Sequence, residues 1–140
     1  QQIQKVVIAL GDYLKIECMA CIGGTDVRED IRRLETSPPH IIVGTPGRVF
    51  DMIARKALRT NKMLMFVLDE ADEMLNMGFR DDIETILKDS PKDKQTVLFS
   101  ATMPPKMRQL ANQISSNPEQ INIAISKPAA GIVQQAYVLS

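Results

Sequence analysis

The sequence predicts an α/β fold in which helices cover both faces of a parallel sheet. Two observations lead there. Short apolar runs of strand length alternate along the chain with segments of helical apolar spacing. Four or five such strands, each separated from the next by a helix, pair most simply in parallel. The length of 140 residues suits one compact domain and not two.

The elements follow in order. Ile3, Val6, Val7, Leu10 and Leu14 recur at helical intervals. Ile16 to Ile22 is a short apolar run that ends in Gly23-Gly24. Thr25 and Asp26 suit the start of a helix carrying Val27, Ile31 and Leu34, and Ser37-Pro38-Pro39 breaks it. Ile41-Ile42-Val43 reads as a buried strand. Thr45 can cap the next helix, with Pro46 in its first turn, and that helix runs to about Lys56. Leu64 to Leu68 is another buried strand. Phe79, Ile83, Ile86 and Leu87 mark a helix that Ser90-Pro91 ends. Thr96 to Phe99 is a strand, Pro104 opens a helix through Ile114, and Gln120 to Ile125 is a last strand. Lys127 to Gly131 reads as a linker, and Ile132 to Leu139 as the start of a further element. With no cap before its first helix, the sequence reads as a piece of a longer chain.

Composition excludes little. Formal net charge is zero, so nucleic-acid binding would have to come from local geometry rather than a basic surface. No apolar run approaches the ~20 residues of a membrane helix, and the first residues lack the shape of a signal peptide. A cytoplasmic location is the expectation. Cys18 and Cys21 have C-x-x-C spacing, but residues three apart on a strand point to opposite faces. They read as apolar structural residues, and His40 as the start of a strand. Met63, Met65, Met74 and Met77 read as core. The mixed charges Arg28, Glu29, Asp30, Arg32, Arg33 and Glu35 read as a solvated helix face.

The chemistry concentrates where strands end. Val67-Leu68-Asp69-Glu70-Ala71-Asp72 is an apolar strand running into carboxylates, the Walker B arrangement, at the crevice where open parallel sheets bind ligands. Asp69 would hold magnesium through water, and Glu70 would orient or deprotonate an attacking water. Alone, such a tetrad is more often a surface acidic cluster. Ser100-Ala101-Thr102, at the tip of the next strand, changes the balance, because adjacent parallel strands bring its hydroxyls within reach of Asp72. Taken singly, it would be a helix cap. Thr45-Pro46-Gly47-Arg48 is either a capped helix start or a phosphate cradle of amides with a guanidinium. Gly23-Gly24 is either a tight turn or a close approach of backbone to a nucleic-acid strand.

In order and spacing these elements resemble the first RecA-like domain of DEAD-box ATP-dependent RNA helicases, over the whole chain. Gly23-Gly24 matches the family's GG motif, Thr45 to Arg48 motif Ib, Asp69 to Asp72 motif II and Ser100 to Thr102 motif III; Gln1-Gln2 resembles the tail of motif Ia. Ile41 to Met52 and Met65 to Leu75 are similar to eukaryotic translation-initiation members, whereas Asn76 to Phe79 and the region from Met103 resemble bacterial ones. The resemblance implies ATP and magnesium as cofactors and RNA as partner. It makes Asp69, Glu70 and Asp72 catalytic, and gives Ser100, Ala101 and Thr102 the coupling of nucleotide state to RNA. It places RNA-backbone contacts at Gly23, Gly24, Thr45, Pro46, Gly47 and Arg48, with Gly78 and Arg80 beside them. Contacts of that kind are largely independent of base sequence.

The same resemblance marks what these residues do not contain. No G-x-x-x-x-G-K-[ST] occurs in the sequence, and the family's second RecA-like domain, the source of its arginine fingers, lies outside it. Residues 1–125 read as a partial first domain, and 126–140 as linker and start of the second. The expected sheet is therefore incomplete, lacking the phosphate-loop strand between Thr96–Phe99 and Gln120–Ile125. A dimer exchanging segments, the tail Ile132 to Leu139 filling the gap, or marginal stability would follow. Functionally the parent is expected to be an RNA-dependent ATP hydrolase and helicase. The alternatives are an inactive truncated module that keeps RNA or protein binding, and an unrelated nucleotide hydrolase sharing only Walker B.

Overall fold

A computed structural model describes residues 1–115 and 118–123. Helix α1 spans Gln2–Gly11, and a single 3-10 turn, Asp12–Leu14, follows. Strand β1 (Cys18–Cys21), helix α2 (Val27–Thr36) and strand β2 (Ile41–Gly44) form one βαβ unit, and helix α3 (Pro46–Ala54) leaves it. Strand β3 (Met65–Leu68), helices α4 (Ala71–Asn76) and α5 (Arg80–Lys88), strand β4 (Gln95–Leu98) and helix α6 (Pro105–Ile114) form a second.

Local chemistry explains the boundaries. Asp26 caps α2 by accepting from the Arg28 amide at 2.8 Å, with Glu29 and Asp30 in the first turn and Arg33 in the last, matching the helix dipole. Pro46 sits at the start of α3, where its missing N–H has no consequence. Thr45 occupies the N-cap position of α3, but its side chain makes no capping bond. Helix α4 has no counterpart among the expected elements, since six residues are too few to display a period.

Both strand pairs are parallel, with Cys18 opposite Ile41 and Met65 opposite Gln95. The expected single sheet is not formed among the described residues: β1–β2 and β3–β4 are separate two-stranded ladders. Each has its own core. Met19, Cys21, Leu34 and Met52 fill the first; Leu68, Ala71, Ile83, Met107 and Leu110 fill the second. Packing of α3 on α5 joins them.

Further expectations are corrected. The described part of the predicted last strand, Gln120 to Ile123, is not extended into a ladder, and Ile121 and Ile123 are 88% and 86% exposed. A strand persists only when its amides and carbonyls find a partner, and among the described residues no neighbouring strand pairs with this segment. Ala124 and Ile125, like the predicted linker and the tail from Ile132, lie outside the described residues. Strand β1 is covered on both faces, as expected, but one face of β3 is not: Met65 and Val67 are 53% and 51% exposed. Of the methionines assigned to the core, Met74 packs against it, but Met65 and Met77 do not. The apolar stripe of α1, including Val6 and Leu10, is exposed as well.

Candidate nucleotide and nucleic-acid site

The pairing of β3 with β4 sets motifs II and III side by side. The Phe99 amide donates to Leu68 O at 2.8 Å, and the Ala71 amide returns to Phe99 O at 3.0 Å. These two bonds carry the ladder past its last strand residues into the acidic turn. There Asp72 Oδ2 accepts from the Thr102 hydroxyl at 2.6 Å and from the Thr102 amide at 2.9 Å. The Ser100 hydroxyl donates to Thr102 O at 2.6 Å and closes the Ser-Ala-Thr turn on itself. The N-cap of α6 is Pro104, so neither Ser100 nor Thr102 caps that helix. The bond from the Thr102 hydroxyl, above all, holds the Asp72 carboxyl below its ordinary value. Partial burial opposes the shift, while Ser100 and the amides of Thr102 and Glu73 add to it.

Asp69 and Glu70 are exposed, and Asp69 Oδ1 accepts the Glu70 amide at 2.9 Å. Glu70 has φ 50°, a left-handed conformation that costs a side-chain-bearing residue of order 1–2 kcal/mol. Strained backbone of this kind sits at the residue to which the sequence assigns a water-orienting group. The donor set suits magnesium: carboxylates at the tip of a strand, with room for the waters this ion retains. Among the described residues no three carboxylate, imidazole or thiol groups converge as they would for a closed metal cage.

The other two motifs meet at the tips of β1 and β2. The Thr45 amide donates to Cys21 O at 3.1 Å, extending that ladder toward α3. Gly44 lies so close to its neighbours that an added Cβ would fall 2.6 Å from Cys21 O. Gly24 has φ +85°, and the space around it is open. Among the described residues nothing accepts the amides of Gly23 and Gly24, or those of Gly47 and Arg48 at the start of α3. Those amides, with the unbonded Thr45 hydroxyl, are free to meet an anion.

Arg48 is placed otherwise than the sequence suggested. Its guanidinium forms an ion pair with Asp30 and donates to Thr25 Oγ1 at 2.9 Å and to Thr25 O at 3.0 Å. Asp30 is 7% exposed, so it does not belong to the solvated face of α2 assigned to it. Sequence reasoning missed this residue. Its one signal is position, since it lies one helical turn after the Asp26 cap, with its Cα–Cβ bond tilted back toward the Gly-Gly loop. Arg80 pairs with Glu84 at 2.7 Å and donates to Gln113 at 3.3 Å. Gly78 has φ +88° and is exposed, and the following Phe79 approaches Gly47. Pro46 is buried, and Ala101 is exposed at the motif III turn. Cys18 and Cys21 are buried free thiols; desolvation, then Asp30, pushes Cys21 up to about 11, against the opposing effect of Arg48 and Arg33.

Parallel ladders whose tips carry an acidic turn on a hydroxyl turn define a RecA-like α/β helicase domain. Residues 1–110 match the DEAD/DEAH box helicase family, and the chain belongs to it. It is 51% identical over 137 residues to eukaryotic initiation factor 4A of Drosophila melanogaster, covering 98% of this chain and 34% of that protein. An ATP-dependent RNA helicase eIF4A of Mycosarcoma maydis is 49% identical over 138 residues, covering 99% of this chain and 33% of that protein. The chain thus spans about a third of the length of these relatives. The fold resembles a crystal structure of a hypothetical ATP-dependent RNA helicase from Sulfolobus tokodaii, with TM-score 0.76 and 31% identity over 84% of this chain and 35% of that one. It also resembles a DEAD box protein from Methanococcus jannaschii, with TM-score 0.67 and 38% identity over 79% of this chain and 32% of that one.

Proposed function

We propose that this chain works as part of the first RecA-like domain of an ATP-dependent RNA helicase, in which ATP hydrolysis is coupled to RNA binding that ignores base sequence. The observation that carries the reading is the double bond-pair from Thr102 to Asp72, because it ties the carboxylate turn beside the nucleotide to the neighbouring strand tip. Asp69 would hold magnesium through water, and the ion would supply charge neutralisation at the ATP phosphates. Glu70 orients or deprotonates the attacking water. Asp72, Ser100 and Thr102, with Ala101 as spacer, transmit the state of the nucleotide. The amides of Gly23, Gly24 and Gly47 and the Thr45 hydroxyl grip ribose-phosphate, with Pro46 fixing the start of α3 and Gly78 and Arg80 adjoining. A second RecA-like domain closes over both ligands. Residues 1–125 belong to the first domain and 126–140 lead to the second. The relatives named as initiation factors favour translation initiation, in the cytoplasm, as the setting.

The 140 residues, taken alone, bind ATP weakly and do not unwind RNA, since they hold neither a phosphate loop nor a second domain. Alone they act as a binding module, and the open edges of the two-stranded ladders favour their pairing as segment-exchanged dimers. Two assays test the reading. The intact protein hydrolyses ATP faster when single-stranded RNA is added, and an RNA-indifferent rate would refute the coupling. The 140-residue chain shows no stoichiometric ATP binding below about 1 mM, and saturable binding there would refute the inactivity.

A further inference from the structure

We propose that Asp30 and Arg48 form a buried clamp holding the Gly23-Gly24 loop against the start of α3, and that Arg48 is a positioning residue rather than a phosphate ligand. The inference rests on the RNA reading of these two loops and deepens it.

Three elements meet at the clamp. Arg48 belongs to the first turn of α3, Asp30 to the first turn of α2, and Thr25 to the loop after Gly24. The guanidinium engages all of them at once: Asp30 Oδ2, Thr25 Oγ1 and Thr25 O. The Thr25 hydroxyl lies 3.1 Å from the same Asp30 oxygen and 3.0 Å from Ile22 O, so the ring of bonds closes on the loop itself. Both charged side chains are about 10% exposed. A guanidinium cannot leave this ring for an RNA phosphate without stranding a carboxylate away from water, and a desolvated unpaired charge is among the costliest groups a fold can hold. Three of its five N–H donors already meet Asp30 Oδ2, Thr25 Oγ1 and Thr25 O, so an RNA phosphate could draw the guanidinium to itself only by breaking that ring.

The pair is also neutral as a unit. It adds nothing to the attraction of a polyanion, in keeping with a chain of zero formal charge. Its contribution is geometric. It fixes the loop carrying the free Gly23 and Gly24 amides beside the helix start carrying the free Gly47 and Arg48 amides. The anion grip is then made of backbone, and its spacing is set by an ion pair that never touches the ligand.

The salt dependence of RNA binding separates clamp from ligand. A short fluorescein-labelled oligouridylate is titrated into the full-length protein at several salt concentrations, for the parent, Asp30→Asn, Arg48→Gln and the apolar double variant Asp30→Leu with Arg48→Met. Removing one cationic phosphate ligand from a single-strand complex lowers the slope of log affinity against log salt by about 0.7. The clamp requires that both single variants lose affinity and melting temperature, that the double variant recovers most of each, and that its slope equals the parent's. A slope lower by about 0.7 in the double variant, or losses that simply add, overturns the proposal. Should the variants fail to fold, the parent decides: the Arg48 Nη–H protons that bond Asp30 and Thr25 stay protected from exchange when RNA saturates the protein, and loss of that protection overturns the clamp. If the parent binds no oligouridylate, the RNA reading itself falls. The melting cycle then still judges the clamp, recovery supporting it and additivity refuting it.

Discussion

Thr102 holds Asp72 with two donors on one oxygen, the hydroxyl at 2.6 Å and the amide at 2.9 Å from Oδ2. The two residues stand 30 positions apart and come together only because β3 and β4 are neighbours in a parallel ladder. An ionised carboxylate accepts both donors; a protonated one accepts them poorly.

That bond pair gives a pH dependence of known sign. The Asp72 carboxyl is held low in the folded protein, so its stabilisation is complete above the unfolded value of about 3.9 and fades as pH falls through the lower folded value. A carbon-detected NMR titration will find the Asp72 midpoint below that of an ordinary aspartate. Thr102→Val, which keeps the amide and removes the hydroxyl, will move the midpoint upward. A parent midpoint at or above the ordinary value contradicts the geometry.

Glu70→Gln in the intact protein removes a base while preserving shape. Turnover should fall by about 10²–10⁴-fold, the usual contribution of a positioned general base, with nucleotide affinity retained. Steady-state ATPase rates beside equilibrium binding of a fluorescent nucleotide separate the two effects. An equal loss of binding and turnover would reassign Glu70 to ligand binding.

The backbone at Glu70 makes a second prediction, independent of activity. At φ 50° a glycine is unstrained, and a β-branched residue is worse than glutamate. Relief of strain and the added freedom of the unfolded glycine chain are each about 1 kcal/mol and nearly cancel. Thermal melting should leave Glu70→Gly no less stable than the parent and Glu70→Val less stable than both. The reverse order would show that the turn relaxes when the side chain changes.

Gly44 and Gly23 form a controlled pair for packing. A Cβ at Gly44 would meet Val49 and Cys21 O well inside contact distance, whereas one at Gly23 would meet nothing within 4 Å. Gly44→Ala should cost about 1–3 kcal/mol by crowding the β1–β2 tips, and Gly23→Ala much less. Urea melts with unchanged m-values would measure the difference.

Strands and longer helices were legible because apolar spacing and caps repeat the same message. Ile41-Ile42-Val43 before Thr45-Pro46 announces β2 and α3, and Asp26 announces α2. The meeting of Asp72 with Thr102 was legible too, given parallel pairing. What sequence could not reveal depends on partners distant along the chain. Met65 has the composition of a core residue, and only the lack of a covering element exposes it. Asp30 sits among Arg28, Glu29 and Arg32 and looks like any surface charge, until α3 brings Arg48 to it. Helix α4 was invisible because its six residues are too few to show a period, and its capping residue, Glu70, adds no capping bond to mark the start.

The two separate cores have a kinetic consequence. Each ladder joins strands bridged by its own helices, so among the described residues every ladder pairing closes within a single βαβ segment. The amino-terminal unit can therefore collapse while the carboxyl-terminal one is still being synthesised, with α3 waiting to dock on α5. Pulse-labelled amide exchange during refolding would reveal two protection phases, one at β1 and β2 and another at β3 and β4, rather than one shared event.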